Sequence, residues 1–204
     1  MTPDVVATVA GLAVPVDELD TREARLRASR LATALPRPGT SEGRQLRRWL
    51  TQLMVTERVV AAEAEALGVT AEGAPAEREL VPDTVARMEL GSVAASVLHE
   101  PLTRAVFARV TAGVDVSDAE VADYHVRNPG RFATAEAVAG GWRRPVAHTT
   151  LDEVRPAVTQ HLSAAARRRA FRLWLDARCA ELVELAPGYE HPGDPRQPDN
   201  THRH

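Results

Sequence analysis

From Thr40 or Ser41 to Gly68 the chain places Leu46, Leu50, Leu53, Val60, Ala64 and Leu67 at steps of three and four residues, the spacing that lines one face of an α-helix. The stretch opens on a hydroxyl side chain able to accept from unpaired helical amides and closes on a glycine suited to a left-handed C-terminal position. A helix of this length with an apolar stripe has to be covered, which commits the chain to helix packing. Composition narrows the packing further. Apolar residues make up 44% of the chain but aromatics only 4%, so Ala, Val and Leu must fill the core, and such a core suits helices better than a β-sandwich.

The remaining segments read as mainly α, a single domain over residues 1–186. Val5–Val9 and Leu12–Val14 around Ala10-Gly11 predict a small edge hairpin. A helix is expected from Asp17 to Leu35, stopped by Pro36, Pro38 and Gly39. Residues 71–76 form a linker, and Pro82–Leu98 and Leu102–Val110 predict two helices meeting at Pro101. Ser117 with Glu120 is a capping box for a short helix ending near Arg127, before Asn128-Pro129-Gly130. Arg131–Thr149 has no consistent period and reads as a loop. Thr150 with Glu153 is a second capping box, opening a long helix to about Leu185, with Pro156 expected to bend its second turn. The tail 187–204, with four prolines and two glycines, is expected to be disordered.

Charge and motifs exclude several function classes. A net charge of −3 lacks the basic excess that binding to a phosphate backbone requires, so nucleic acid is not an expected partner. The segment Met1–Val6 has no signal-peptide pattern and no stretch approaches a membrane-spanning apolar length, which predicts a cytoplasmic protein without a membrane partner. All 25 basic residues are arginine, the mark of a GC-rich genome, so no lysine can serve as a Schiff-base nucleophile. Phosphate-binding glycine loops, nucleophile elbows and Cys-x-x-Cys pairs are missing from the sequence. No cofactor or metal is expected: His99-Glu100 starts like a zinc-protease motif, but Pro101 follows and Thr103 stands where the second histidine must be.

Four residues are candidates for chemistry, each with a plainer structural role beside it. Cys179 lies at helical spacing from Leu175 and Leu182, which suggests a small buried hydrophobe; as a thiolate it could add reversibly to an unsaturated acyl chain and allow bond rotation. Tyr124 and His125 close the short capped helix, where Tyr124 fills a slot between helices and His125 gains from the helix dipole or acts as an acid–base group. His99 is the fourth. Arg167, Arg168, Arg169 and Arg172 spread around the long helix as a solvated face, or meet an anionic partner such as a carrier-protein helix or a phosphopantetheine phosphate. Trp142 with Arg143 and Arg144 is either a lid over a cleft or an anchor of its loop.

Three blocks carry a family resemblance. The opening Val6–Leu19 is similar to the "VNG-x-x-I…E" start of SurA and PrsA chaperones, with Ala10 in place of the usual Asn. Leu50–Val69 resembles their "L-x-x-L-I-x-x-x-L-L…EA-x-x-x-G-V" helix. Val116–Tyr124 through Asn128–Phe132 resembles "VSDAEV-x-x-YY…N-P-x-x-F", with His125 replacing the second aromatic. In those families a parvulin rotamase of roughly a hundred residues follows that Phe before a final helix returns to the N-terminal helices; here only residues 133–149 intervene.

The resemblance implies a helical cradle that holds an extended apolar polypeptide or acyl chain, without prolyl isomerase activity, in a monomer or homodimer. It assigns Trp49, Leu53, Phe107, Tyr124, Phe171 and Trp174 to the groove. The alternative it leaves open is an isomerase or cyclisation helper acting on an acyl chain tethered to an acyl carrier protein, in polyketide or peptide natural-product biosynthesis.

Overall fold

A computed structural model describes residues 4–129, 131–132, 135–137, 143–145 and 150–190, with side chains at all but 135–137 and 143–145. Strands β1 (Val5–Val9) and β2 (Leu12–Pro15) form the expected hairpin. Its turn places Ala10 at φ 50° and Gly11 at φ 78°, the pair of positive values that a two-residue turn of this hand requires. Helix α1 (Val16–Arg27) is shorter than expected: after a turn the chain makes a single 3₁₀ turn at Ala32–Ala34. The Arg27 guanidinium donates to the Pro36 carbonyl at 2.8 Å and fixes this return. Helix α2 (Ser41–Leu67) follows the sequence closely. Thr40 Oγ1 accepts from the Gly43 N–H at 3.1 Å, and Gly68 caps the other end at φ 64°.

The expected helix over Pro82–Leu98 is instead cut in two. After α3 (Glu77–Leu80), α4 (Thr84–Leu90) ends at Gly91, whose φ of 83° breaks the spiral before α5 (Ser92–Val97). Helix α6 (Pro101–Val110) begins on its proline as expected. Helix α7 (Asp118–Arg127) carries the Ser117–Glu120 capping box, complete in both directions. The segment expected to be a loop contains a short antiparallel ladder, β3 (Ala135–Ala137) with β4 (Arg143–Pro145). Helix α8 (Leu151–Leu182) starts on the Thr150–Glu153 capping box and runs through Pro156 without interruption.

Helix α8 stops short of Leu185, and its last three expected residues become strand β5 (Val183–Leu185), which pairs antiparallel with β1. The sheet order is β2-β1-β5, so β1 is the central strand and, of the hairpin, only β2 lies at an edge. Residues 187–190 are also ordered by contacts: the Gly188 carbonyl accepts from Arg48 Nε at 3.1 Å, and Tyr189 packs on the core. Pro187–Glu190 therefore do not belong to the expected disordered tail; residues 191–204 lie outside the described residues.

Two cores result. The main one joins Val6, Val9 and Val14 of the sheet to Leu19, Leu50, Val59, Val97, Leu98, Val106, Phe107, Phe171 and Leu175. A smaller one, Val121, Val154 and Val158 with Val116, Tyr124, Phe132, Leu151 and Leu162 around it, joins α7 to the N-terminal half of α8. Helix α8 thus spans both, one half in each. Among the described residues no helix is long and apolar enough to cross a membrane.

Candidate functional site

The first half of α8 is flanked by α4 on one side and α7 on the other, and between the three lies a cleft of about 550 Å³. Its floor is apolar or small: Val116 and Tyr124, with Leu162, Ala165 and Ala166 of α8. Its rim is charged, with Glu89, Glu120 and Asp123 facing Arg127, Arg169 and Arg172. The volume lies within the range of pockets that enclose a small-molecule-sized segment. A second hollow of about 530 Å³, lined by Asp83, Arg131, Phe132, His161 and Arg168 among others, lies on the opposite flank of the same helix and shares Glu89.

Between the two hollows stands an aromatic cluster. The Tyr124 ring centroid is 5.5 Å from that of His161 and 6.3 Å from that of Phe132, and His161 and Phe132 are 6.0 Å apart. Tyr124 Oη lies 3.2 Å from His161 Nε2. Burial holds the His161 pKa below the usual 6.5, the Arg131 and Arg168 guanidiniums push it the same way, and Glu89 and Asp83 oppose them. At neutral pH the ring is therefore uncharged, and its Nε2 can accept from the phenol hydroxyl. A neutral Tyr–His pair of this kind can hold or pass one proton.

The arginines of α8 are not the solvated face expected. Arg168 is buried: its Nε donates to Glu89 Oε2 at 2.6 Å and its Nη1 to the Leu80 carbonyl at 3.4 Å. Arg167 donates from Nε to Thr111 Oγ1 at 2.9 Å and lies 5.5 Å from the centre of the Phe107 ring. Arg172 reaches only the Glu89 carbonyl, at 3.3 Å, and Arg169 alone of the four is exposed. Arg168 and Arg167 are drawn off solvent by specific partners on neighbouring elements, Glu89 of α4 for the one and Thr111 with Phe107 for the other.

Of the residues expected to line a groove, only Tyr124 lines this cleft. Leu53, Phe107 and Phe171 are closed into the main core, with the Phe107 and Phe171 rings 5.0 Å apart. Trp49 and Trp174 lie partly buried against that core, Trp174 stacked on Phe171 at 5.7 Å. These side chains pack on one another and on the main core. His125, partly buried, does not line the cleft. His99 is on the surface beside Glu100, its Nδ1 2.6 Å from the Ser96 carbonyl. Cys179 is half-buried rather than fully enclosed; burial raises its thiol pKa, the Thr56 hydroxyl partly offsets this, and Asp176 adds to the rise. That is the direction opposite to what a nucleophilic thiolate needs. Its neighbour Arg178 is committed to Glu63 and Glu181. Trp142 lies outside the described residues, as do the side chains of Arg143 and Arg144.

Sequence reasoning missed His161 and Glu89. For His161 a signal existed: Val154, Val158, His161 and Leu162 follow one another at steps of four, three and one on a single face of α8, so the histidine belongs to an apolar stripe rather than to solvent. Glu89 carried none, because its partner Arg168 lies 79 positions away. Among the described residues no group of three or more His, Cys, Asp or Glu is placed to hold a metal ion.

A family of unknown function, DUF7158, has a model that matches residues 5–42. The matched segment covers the hairpin, α1 and the turn into α2, and does not reach the cleft. No curated protein and no solved structure matches the chain.

Proposed function

We propose that the protein is a chaperone-like binding protein that holds an extended apolar polypeptide segment in the cleft between α4, α7 and α8, without prolyl isomerase chemistry. The observation that carries this reading is the cleft's make-up, an open apolar floor of Val116, Tyr124, Leu162, Ala165 and Ala166 inside a charged rim, on a helix that returns across the N-terminal helices. Apolar side chains of a ligand would be covered on the floor while its ends stay hydrated at the rim. The seventeen residues between Phe132 and Thr150, with their short ladder, are too few for a rotamase domain. The test is fluorescence anisotropy with a labelled apolar pentapeptide. Ala166→Glu, which puts a carboxylate on the floor at a partly exposed position, is expected to weaken binding about tenfold or more with an unchanged melting curve. Binding indifferent to that substitution would remove the cleft from consideration.

A second reading, isomerisation or cyclisation of an acyl chain tethered to a carrier protein, is favoured by the Tyr124–His161 pair beside the floor. Under it, Tyr124→Phe would abolish turnover of an unsaturated acyl-carrier substrate while leaving its binding intact; equal turnover by the variant would exclude the pair from chemistry.

A further inference from the structure

The rim of the cleft is balanced in number, three acids against three arginines, but not in partnership. Glu89 is taken by Arg168 at 2.6 Å. Asp123 is paired with Arg127, one turn along α7. Glu120 closes the capping box, its Oε2 accepting from the Ser117 N–H at 2.9 Å and from the Ser117 hydroxyl at 2.7 Å, and it sits at the positive end of α7. Arg169 and Arg172 remain. They stand three residues apart on α8, side by side on one helical face, and both line the cleft. Among the described residues neither has a carboxylate partner. Arg172, partly exposed, holds a single long bond, to the neutral Glu89 carbonyl at 3.3 Å. A guanidinium at a cleft rim with no carboxylate partner is a charge-assisted donor for an arriving anion.

We infer that Arg169 and Arg172 anchor a carboxylate of the bound segment, so that the ligand class is an apolar peptide bearing one negative charge at an end of the cleft. The inference rests on the peptide-binding reading and deepens it. Charge complementarity selects this occupant: Glu89 and Asp123 are countered by Arg168 and Arg127, and Glu120 by the positive end of α7, so an added cation would meet two guanidiniums without a carboxylate partner, whereas a carboxylate would find a donor group on each.

The experiment compares three labelled forms of one apolar pentapeptide on the full chain: a free C-terminal carboxylate, a C-terminal amide, and an amide with Glu as its last residue. Either carboxylate form is expected to bind about tenfold tighter than the plain amide, a preference that shrinks as salt is raised. The stronger of the two says whether main chain or side chain supplies the charge. Arg169→Gln, at an exposed position, and the double variant with Arg172→Gln are expected to reduce the preference stepwise to none. Arg109→Gln, outside the cleft, leaves the preference intact. Equal binding of all three forms by the wild type would overturn the anchor and leave the groove standing. A preference that survives the double variant would also overturn it. No binding of any form would end both readings together.

Discussion

Ala10 is the residue most at odds with its position. At φ 50° it occupies the left-handed region that costs a residue with a Cβ about 1 kcal/mol, and its amide is held there by the Leu182 carbonyl at 2.8 Å. Ala10→Gly or Ala10→Asn is therefore expected to raise stability by about 0.5–1 kcal/mol in urea unfolding, and a lower midpoint would show that the methyl is needed there. Glu23 is the converse case, a polar group well placed. Burial alone would raise its pKa, but the Arg27 and Arg47 guanidiniums, at 2.8 and 2.7 Å, outweigh burial and hold it below the ordinary 4.5. The folded value being the lower, its contribution is complete above about pH 4.5 and is lost as pH falls through the folded pKa. Glu23→Gln should cost about 2 kcal/mol at pH 7 and flatten the acid limb of the stability profile; an unaltered limb would place the acid sensitivity elsewhere. The place of Ala10 was legible, since Ala10-Gly11 reads as a two-residue hairpin turn in which Asn is the usual first residue. Glu23 was not, because it meets Arg47 across 24 positions. Tyr124 was legible because a capping box placed it one turn before a helix end.

Elements were readable where local chemistry decided them. Both capping boxes and the ends of α2 lie within three or four residues of the groups they bind, so they could be read from the sequence alone. Where a partner far along the chain decides, as for β5, period and propensity give the wrong element. Gly43, in the first turn of α2, marks a constraint of another kind, a close approach within one turn of chain: an added Cβ would collide with the Arg37 carbonyl oxygen. Gly43→Ala has to displace the 37–40 turn, and a loss of about 1–3 kcal/mol is expected from thermal unfolding. A melting point equal to the wild type's would mean that this turn yields freely. On α8, Phe171 is fully buried between Phe107 and Trp174, so Phe171→Ala is expected to cost about 3–5 kcal/mol, and Trp174→Ala less because its ring is partly exposed.

At the scale of the molecule α8 belongs to two cores at once, and removing it opens both. A fragment ending at residue 149 would leave Val6, Leu50 and Phe107 without Phe171 and Leu175, and Val121 without Val154 and Val158. No cooperative melting is expected from that fragment in calorimetry; a sharp transition would show that the N-terminal helices suffice. The pairing of β1 with β5 also bears on how the protein is made. Thr8 meets Glu184 across 176 positions, so the central strand keeps one row of its amides and carbonyls unpaired until synthesis has passed residue 185. The hairpin and α2 can form early from local contacts. The last strand closes the sheet afterwards, as a late and slow step, and until then that bare edge is the nascent chain's point of exposure to aggregation.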